Sequence, residues 1–404
     1  MSYLANSTHF NNWIFTPEEL ARVHRLRQLK AKKTLRLEHT KSVEGTANAT
    51  GADGLKPARK ARSFAALVPK SSTATRDIYD WNDTIEMDME QEEEKEEKEG
   101  LQVEPLLEFL SIEQEALIRE FYEQKVQQSC STLFRTSDKV KSSAVMLYKR
   151  FYLSNSVMEF HPKYIVPTAI YVAGKVEEQY ISVDTVAEQL DVDHKHVIGH
   201  EMILLEGVRF QLIMYHPFRS LLGFVDDLRA FNKAKGRDLP LDTLQKLHSN
   251  SCAVVNELLL TDLPLTMYPS YVSLGSLAIV VDELAKESES SGTSSVIQRE
   301  HVLDFVRQSK FAKSENVEDV FKQLETIAQA YATLKAKEAA TASGQPEAAE
   351  KDKQIKKLYK KLKKFHEGND GKDKKKDDKE SKKRKSDGKK DDKKKSKKHK
   401  KEKK

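Results

Sequence analysis

The chain has 404 residues, enough for two or three domains, and its formal net charge of +6 is unevenly distributed. Residues 351–404 hold 28 basic and 11 acidic side chains, whereas residues 1–350 hold 41 basic and 52 acidic ones. The net charges of these two parts are therefore +17 and −11. An acidic body argues against a folded domain that wraps nucleic acid.

The cysteines and the apolar runs exclude several further classes of protein. Cys130 and Cys252 are too few and too far apart for a disulfide framework or a CxxC metal site, which favours a reducing, intracellular compartment. Residues 1–10 lack the basic and apolar regions of a secretory signal. The longest apolar run, around residues 274–281, is far shorter than the ~20 residues that span a bilayer. We therefore expect a soluble protein without a membrane partner.

The N-terminal segment, residues 1–40, contains a well-marked helix start. Thr16, Pro17 and Glu19 form the pattern of a capping box with proline at the first helical position. Phe15 and Leu20 occupy the two positions of a hydrophobic staple. A narrow apolar stripe then continues at Leu20, Val23, Leu26 and Leu29. Because a lone amphipathic helix is unstable in water, we expect this one to lie on the rest of the protein.

Residues 41–103 have the composition of a disordered linker. Ser, Thr, Gly and Ala dominate the first half, and a run of glutamates occupies residues 90–99. Few side chains in this stretch could build a core, so disorder is the better interpretation.

From residue 103 to about residue 335 the apolar pattern is helical throughout, which predicts an all-α fold. Ser111 with Gln114 predicts a capping box, and Ser182 predicts the cap of a short helix. Residues 165–176 are apolar almost all round, as in a helix at the buried centre of a domain. No alternating strand pattern competes with this reading.

A faint internal repeat predicts two domains of similar architecture. The segment from Phe160 aligns with the segment from Met267 at an offset of 107 residues, and in each a proline opens an apolar helix. This pattern predicts two stacked five-helix units, over residues 104–214 and 215–336.

The sequence contains no GxGxxG, GxxxxGK[ST], HExxH or GxSxG motif, so no enzyme activity is predicted. His194, His196 and His200 form a small cluster in which the last two share a helix face. No cysteine or third ligand is near them, which favours exposed histidines at a helix start over a zinc site.

Lys175 and Glu201 interrupt otherwise apolar segments, and two interpretations of them are open. Each could simply face solvent, which periodicity alone favours. Alternatively, they could border a flat apolar surface and bond to the backbone of a partner protein. Spacing does not decide between these interpretations.

The tail, residues 337–404, is rich in lysine and is predicted to be mostly disordered. Its first part predicts a helix over residues 353–366 with an apolar face of Ile355, Leu358, Tyr359, Leu362 and Phe365. Further on, the cluster of Lys382, Lys383, Arg384 and Lys385 is typical of a nuclear import signal. A tail that only aids solubility, or that is loosely attracted to nucleic acid or acidic proteins, is the alternative.

Four segments resemble the cyclin family, and within it the H-type cyclins. KRFYLSNSVMEFHP at 149–162 and AGKVEE at 173–178 are similar to the second and third helices of a cyclin box. WIFTPEELARVHRL at 13–26 is similar to the N-terminal helix of the H type, and YHPFRSLLGFVDDL at 215–228 to the crossing into its second box. The resemblance covers about residues 3–32 and 100–336.

The resemblance implies two tandem five-helix cyclin boxes with flanking N- and C-terminal helices. It implies a regulatory subunit, without cofactor or metal, that binds and activates a cyclin-dependent kinase. The family's kinase-contacting positions match Lys175, Val176, Glu201, Leu205, Phe210 and Leu212.

For the H type, the resemblance further implies a CDK-activating kinase complex with a RING-finger assembly factor. Within transcription factor IIH this complex phosphorylates the C-terminal repeats of RNA polymerase II, besides the activation loops of other cyclin-dependent kinases. A nuclear location follows from these roles.

This sequence departs from the family pattern in several respects, which include a longer linker over residues 41–103 and a Lys-rich tail. Pro167 lies inside the third helix of the first box, where it removes a backbone donor and can kink the helix. Gly174 stands beside Lys175, where Cys or Ser is more usual, and lowers helix propensity. The first helix lacks the Met-Arg-x-Ile-Leu motif with which cell-cycle cyclins recruit substrates.

Two other functions compete with this one. A C-type cyclin of a transcriptional kinase shares the KRFY segment. A cyclin-fold transcription factor similar to the general initiation factor IIB would bind DNA, but it would need a basic surface and zinc-ribbon cysteines. The acidic body and the two cysteines argue against direct, sequence-specific binding of nucleic acid.

Overall fold

The computed structural model describes residues 7–45, 109–290, 297–308, 316–343 and 350–366. Within these ranges all the regular structure is helical, as the sequence predicts. The helix predicted at the N-terminus continues to Gly45, so the first residues of the predicted linker are helical. The rest of the linker and the cluster at 382–385 lie outside the described residues. The chain divides into two compact units, Met1–Lys353 and Gln354–Lys404.

Fourteen helices are described, and we number them in chain order. They are α1 (Thr8–Trp13), α2 (Pro17–Gly45), α3 (Ile112–Thr132), α4 (Asp138–Ser154), α5 (Pro162–Val176), α6 (Val183–Gln189), α7 (His194–Gly207), α8 (Pro217–Ala234), α9 (Leu241–Leu258), α10 (Leu263–Thr266), α11 (Pro269–Ser290), α12 (Arg299–Gln308), α13 (Val317–Ala342) and α14 over residues 350–366. The last of these confirms the helix predicted in the tail.

The predicted helix starts are confirmed in atomic detail. The Thr16 amide donates to the Glu19 carboxylate at 2.7 Å, and the Glu19 amide donates to Thr16 Oγ1 at 3.2 Å. Ser111 and Gln114 form the same reciprocal pair at the start of α3, and the side chain of Ser182 caps α6. Each cap satisfies amides that the first helical turn leaves without partners.

Two groups of helices pack around central apolar helices. α5 is buried along most of its length between α4 and α7, and its chain continues as a helix through Pro167. α11 lies among α8, α9 and α13, and these helices share one apolar core. Both central helices begin at the prolines that the internal repeat aligns, Pro162 and Pro269.

The N-terminal helix α2 lies on α3 and α4 through buried polar groups as well as its apolar stripe. The side chains of Arg27 and Glu115 are 0% and 1% exposed, and they form an ion pair at 2.8 Å. Arg27 also donates to the carbonyl of Tyr152 at 2.8 Å, and Glu115 accepts from Ser156 Oγ at 2.6 Å. Burying these two charges costs free energy of desolvation, and their mutual attraction offsets that cost only while both partners are present.

Removing one partner of this pair should therefore destabilise the protein strongly. We expect Glu115→Ala to lower the free energy of unfolding by about 3 kcal/mol, because it removes the carboxylate that pairs with the buried Arg27 guanidinium. Glu120, on the same helix, is exposed and pairs with Lys351 at 3.4 Å. Glu120→Ala should lower the free energy of unfolding by less than about 1 kcal/mol. Urea titration of both variants measures the difference. Equal losses for the two variants would contradict this account of α2.

The absence of a side chain at Gly174 has a steric reason, which helix propensity does not reveal. A Cβ atom at this position would lie 2.8 Å from the carbonyl oxygen of Gln179, which is main chain and cannot move aside cheaply. Gln179 in turn donates its amide to the Gly174 carbonyl at 2.9 Å, so the chain folds back closely over the end of α5. Gly199 in α7 has no atom within 4 Å of the same position.

These two helical glycines should therefore respond oppositely to the same change. Gly174→Ala should lower the free energy of unfolding by about 1 kcal/mol or more, because overpacking outweighs the gain in helix propensity. Gly199→Ala should raise it by up to about 1 kcal/mol. Urea titration of both variants measures the difference. A stabilised Gly174→Ala protein would show that the turn at Gln179 relaxes freely.

Candidate protein-binding surface

Lys175 and Glu201 are neighbours on the outside of the molecule. Lys175 ends α5, Glu201 lies in the middle of α7, and the two helices pack side by side. The Lys175 ammonium forms an ion pair with the Glu201 carboxylate and lies 4.3 Å from the centre of the Tyr171 ring. The side chains remain 41% and 25% exposed. Both charges are therefore accessible to a partner.

The helix α7 has two apolar stripes, and one of them faces solvent. Val197 and Leu204 point inward and are fully buried. Ile198 and Met202 point outward and are 51% and 56% exposed, with the half-buried Leu205 one turn further on. The spacing of these three residues around Glu201 is that of one continuous helix face. A stripe of this kind in water is typical of a surface that binds another protein.

The loop after α7 extends this surface. Phe210 and Ile213 are 57% and 65% exposed, and Leu212 is half-buried. Arg209 and Phe210 both have left-handed backbone, with φ of 59° and 55°. The Phe210 amide donates to the carbonyl of Leu205 at 2.8 Å, which holds the loop against the end of α7. Non-glycine residues in this conformation are uncommon and concentrate at binding sites.

All six residues proposed from the resemblance are at least partly exposed. Lys175 and Phe210 are exposed, and the others are half-buried: Val176, Glu201, Leu205 and Leu212. The ion pair brings Lys175 and Glu201 together, and the loop hydrogen bond brings Phe210 to Leu205. No residue of the set is enclosed in the core.

Sequence reasoning missed Ile198, Met202, Ile213 and Tyr171. The first two could have been found, because they recur at helical spacing on a face different from that of Val197 and Leu204. Ile213 and Tyr171 carry no such signal, since their place depends on a loop and on the packing of α5.

A polar network lies behind the Lys175 end of α5. Glu177 accepts from Ser143 Oγ at 2.6 Å, and His216 Nε2 lies 3.2 Å from the same Glu177 oxygen. His216 Nδ1 is 2.8 Å from Ser142 Oγ. The hydrogen bond with His216, with that from Ser143, lowers the pKa of Glu177 to about 2. The network joins the end of α5 to the start of α8.

This network contains a serine, a histidine and a carboxylate, but its geometry is not that of a nucleophile. Ser143 Oγ and Glu177 both approach Nε2 of His216, at 3.1 and 3.2 Å. A catalytic triad instead places the carboxylate on the ring nitrogen opposite the hydroxyl. Ser143 is also fully buried, so a substrate could not reach it. The network is structural.

The histidine cluster is organised by an aromatic ring. Tyr164 stacks on His196 at 4.4 Å and on His200 at 5.4 Å between ring centres. His194 and His196 are exposed, as predicted, whereas His200 is half-buried, and burial lowers its pKa. Across the described ranges, no group of three potential metal ligands comes together.

Among the helices that the structure describes, none has both the length and the hydropathy needed to cross a bilayer.

Arg150 is fully buried beside the surface loop, where its guanidinium lies 4.7 Å from the centre of the Trp13 ring. Burial lowers the pKa of Arg150 to about 9.

Comparisons with known proteins point to one family. The model of the cyclin N-terminal domain matches residues 127–213, which include Lys175, Glu201 and the loop after α7. Cyclin-H1-1 of Arabidopsis thaliana is 31% identical over 279 residues, which are 69% of this chain and 70% of that protein. Cyclin-H of Xenopus laevis is 30% identical over 225 residues, which are 52% of this chain and 68% of that protein.

A solved structure has the same fold. The structure of the CAK complex from Chaetomium thermophilum bound to ATP-gamma-S contains a chain that matches with a TM-score of 0.59. The identity is 18%, and the match covers 90% of both chains. With sequence similarity over more than two thirds of both this chain and its Arabidopsis relative, the chain belongs to the cyclin family, in its H-type branch.

Proposed function

We propose that this chain is the regulatory, non-catalytic subunit of a cyclin-dependent kinase of the CDK-activating kinase type. The observation that carries the proposal is the outward apolar stripe of α7, bordered by Lys175 and Glu201 and continued by Phe210. We call this set, with Val176, Leu205 and Leu212, the kinase face. Membership of the H-type branch supports the choice of kinase.

The kinase face would act by stabilising one position of the kinase's αC helix. A kinase is active only when the lysine of its strand β3 pairs with the glutamate of αC. A partner that binds the inward αC position better than the outward one shifts the population toward the active state. Moving that equilibrium from 1:99 to 99:1 takes about 5.5 kcal/mol of differential binding, which an interface of ~2,000 Å² can provide. The cyclin contributes no reacting atom.

In the complex, the ion pair between Lys175 and Glu201 would open, and each side chain would instead form hydrogen bonds with backbone groups of the kinase. An ion pair between partly exposed side chains is worth about 0–1 kcal/mol, so opening it costs little. The two charges would then lie at the edge of a buried apolar contact, where their hydrogen bonds to a backbone fix the register of docking. In the free chain, a cation–π contact with Tyr171 holds the Lys175 ammonium over the ring.

The chain would consist of two tandem five-helix cyclin boxes, residues 104–214 and 215–336. The packing of α4 and α5 among their neighbours, and of α11 among α8, α9 and α13, supports this division. The matching proline starts of α5 and α11 support it as well. Residues 1–40, the linker 41–103 and the tail 337–404 would flank or join the two boxes.

The further partners of the proposal are those of the H-type branch. They are a RING-finger assembly factor and transcription factor IIH, with the C-terminal repeats of RNA polymerase II and CDK activation loops as substrates of the complex. A nuclear location would follow, and the basic cluster at 382–385 would supply the import signal.

The kinase face can be tested by removing its two charges together. Lys175→Ala combined with Glu201→Ala should weaken binding of the CDK-activating kinase subunit roughly tenfold and lower its activity, because two charge-assisted hydrogen bonds are lost. The free energy of unfolding should change by less than about 1 kcal/mol. Titration calorimetry and phosphorylation of a repeat peptide measure the effects.

A matched control exists in the second half of the chain. Arg299 and Asp282 form an ion pair with side chains that are 49% and 27% exposed, close to the values for Lys175 and Glu201. Arg299→Ala with Asp282→Ala should leave kinase binding unchanged. If the two double variants behave alike, the kinase does not use this face.

The tail can be tested in the full-length chain. Replacing Lys382, Lys383, Arg384 and Lys385 by alanine should shift a fluorescently tagged protein from the nucleus to the cytoplasm, because an import receptor reads a compact basic cluster. Replacing Lys393, Lys394, Lys395 and Lys397 removes a similar charge elsewhere in the tail and should have little effect. If the variant at 382–385 stays as nuclear as this control, the cluster is not an import signal, and the alternative role of the tail in solubility is favoured.

A further inference from the structure

The loop that carries Phe210 is hydrogen-bonded to the N-terminal segment of the chain. The side-chain oxygen of Gln211 accepts two hydrogen bonds, from Asn12 Nδ2 at 3.0 Å and from Trp13 Nε1 at 2.7 Å. These donors lie about two hundred residues away in sequence. Gln211 directly follows Phe210, so the contact fixes the backbone at the exposed ring.

A second layer of contacts surrounds the first. Arg150 donates from Nη1 to the main-chain carbonyl of Gln211 at 3.3 Å, and its guanidinium stacks on the buried ring of Trp13. The amide of Tyr215 donates to Nδ1 of His9 at 3.1 Å. Burial, with the charges of Arg150 and His216, lowers the pKa of His9 to about 3, so the ring is neutral and can accept this bond at neutral pH.

The loop needs such support because of its backbone. Arg209 and Phe210 are consecutive non-glycine residues in the left-handed region. Such a conformation persists only where the surrounding structure determines it. The main-chain amides of Arg209, Phe210 and Gln211 donate back to the end of α7 and to Val208, whereas the side chain of Gln211 bonds to the N-terminal segment. Without the second set, the loop has fewer constraints on where Phe210 points.

We propose that the N-terminal segment, through Asn12, Trp13 and Gln211, positions the loop 209–213 for contact with the kinase. This inference rests on the proposed kinase face. Gln211 and its two donors are positioning residues, because they act through Phe210; Asn12 and Trp13 are buried and Gln211 is half-buried. The segment thereby makes affinity for the kinase depend on a part of the chain outside both proposed boxes.

A double-mutant cycle tests the inference in the full-length chain. Trp13→Phe removes the indole N–H but keeps a ring beneath Arg150, and it should weaken binding of the CDK-activating kinase subunit about fivefold. Phe210→Ala should weaken it roughly tenfold. The combined variant should bind no more weakly than Phe210→Ala alone, because Trp13 acts through Phe210. Binding is measured by titration calorimetry.

Two further variants separate positioning from stability. Val255→Ala creates a cavity in the fully buried core of α9 and should lower stability without changing kinase affinity. Asn12→Ala removes the other donor to Gln211. If Trp13→Phe folds poorly, Asn12→Ala takes its place in the double-mutant cycle. Additive losses in the cycle, or an affinity unchanged by both Trp13→Phe and Asn12→Ala, would overturn the inference while leaving the kinase face intact. An affinity unchanged by Phe210→Ala would overturn the kinase face, and the inference with it.

Discussion

The helix α7 has apolar side chains on two faces, but α5 covers one of them. Val197 and Leu204 fill the contact with the buried centre of the domain, and Ile198 and Met202 are left in water. An isolated exposed apolar side chain is ordinary, whereas a row of them along one helix face is typical of a surface that binds a partner. The Lys175 ammonium and the Glu201 carboxylate beside this row would make binding selective, because a wrong partner would remove water from both charges without offering new hydrogen bonds in its place.

The rest of the molecule presents this row rigidly. α5 supplies Lys175 from a helix that is buried along most of its length, and the close return of the chain over Gly174 fixes its end. The Glu177 network ties the same end to the start of α8. Binding to a rigid surface loses less conformational freedom than binding to a mobile one, so more of the contact energy would remain for the proposed shift of the kinase.

The N-terminal part of the chain is held by polar groups that are unusual in a core. Arg27 and Glu115 are buried together, and Arg150 is buried against Trp13 with no carboxylate paired to it among the described residues. Buried charges contribute little net stability but penalise every arrangement that separates them from their partners. They therefore specify where α1 and α2 dock more than how tightly they are held.

Local signals in the sequence were sufficient for the helical class and for the helix starts at Thr16, Ser111 and Ser182. The capping boxes at Thr16 and Ser111 involve residues three apart in the chain, so their hydrogen bonds follow from sequence spacing alone. The all-α class and the buried centre at 165–176 follow in the same way from periodicity. For Lys175 and Glu201, spacing left solvent exposure and partner binding open, and the family resemblance was needed to single them out.

Other features depend on residues far apart in the chain, and no local pattern encodes them. Arg27 reads as one more basic residue on the flank of α2, yet it is fully buried, because α3 brings Glu115 against it. Gly174 reads as a weak helix former, and only the returning chain at Gln179 explains it. The sequence by itself determined the helical class, the caps at Thr16, Ser111 and Ser182, and the family. The tertiary structure decided which apolar stripe stays in water and what holds Phe210 in place, because both depend on contacts between segments that meet only in the folded chain.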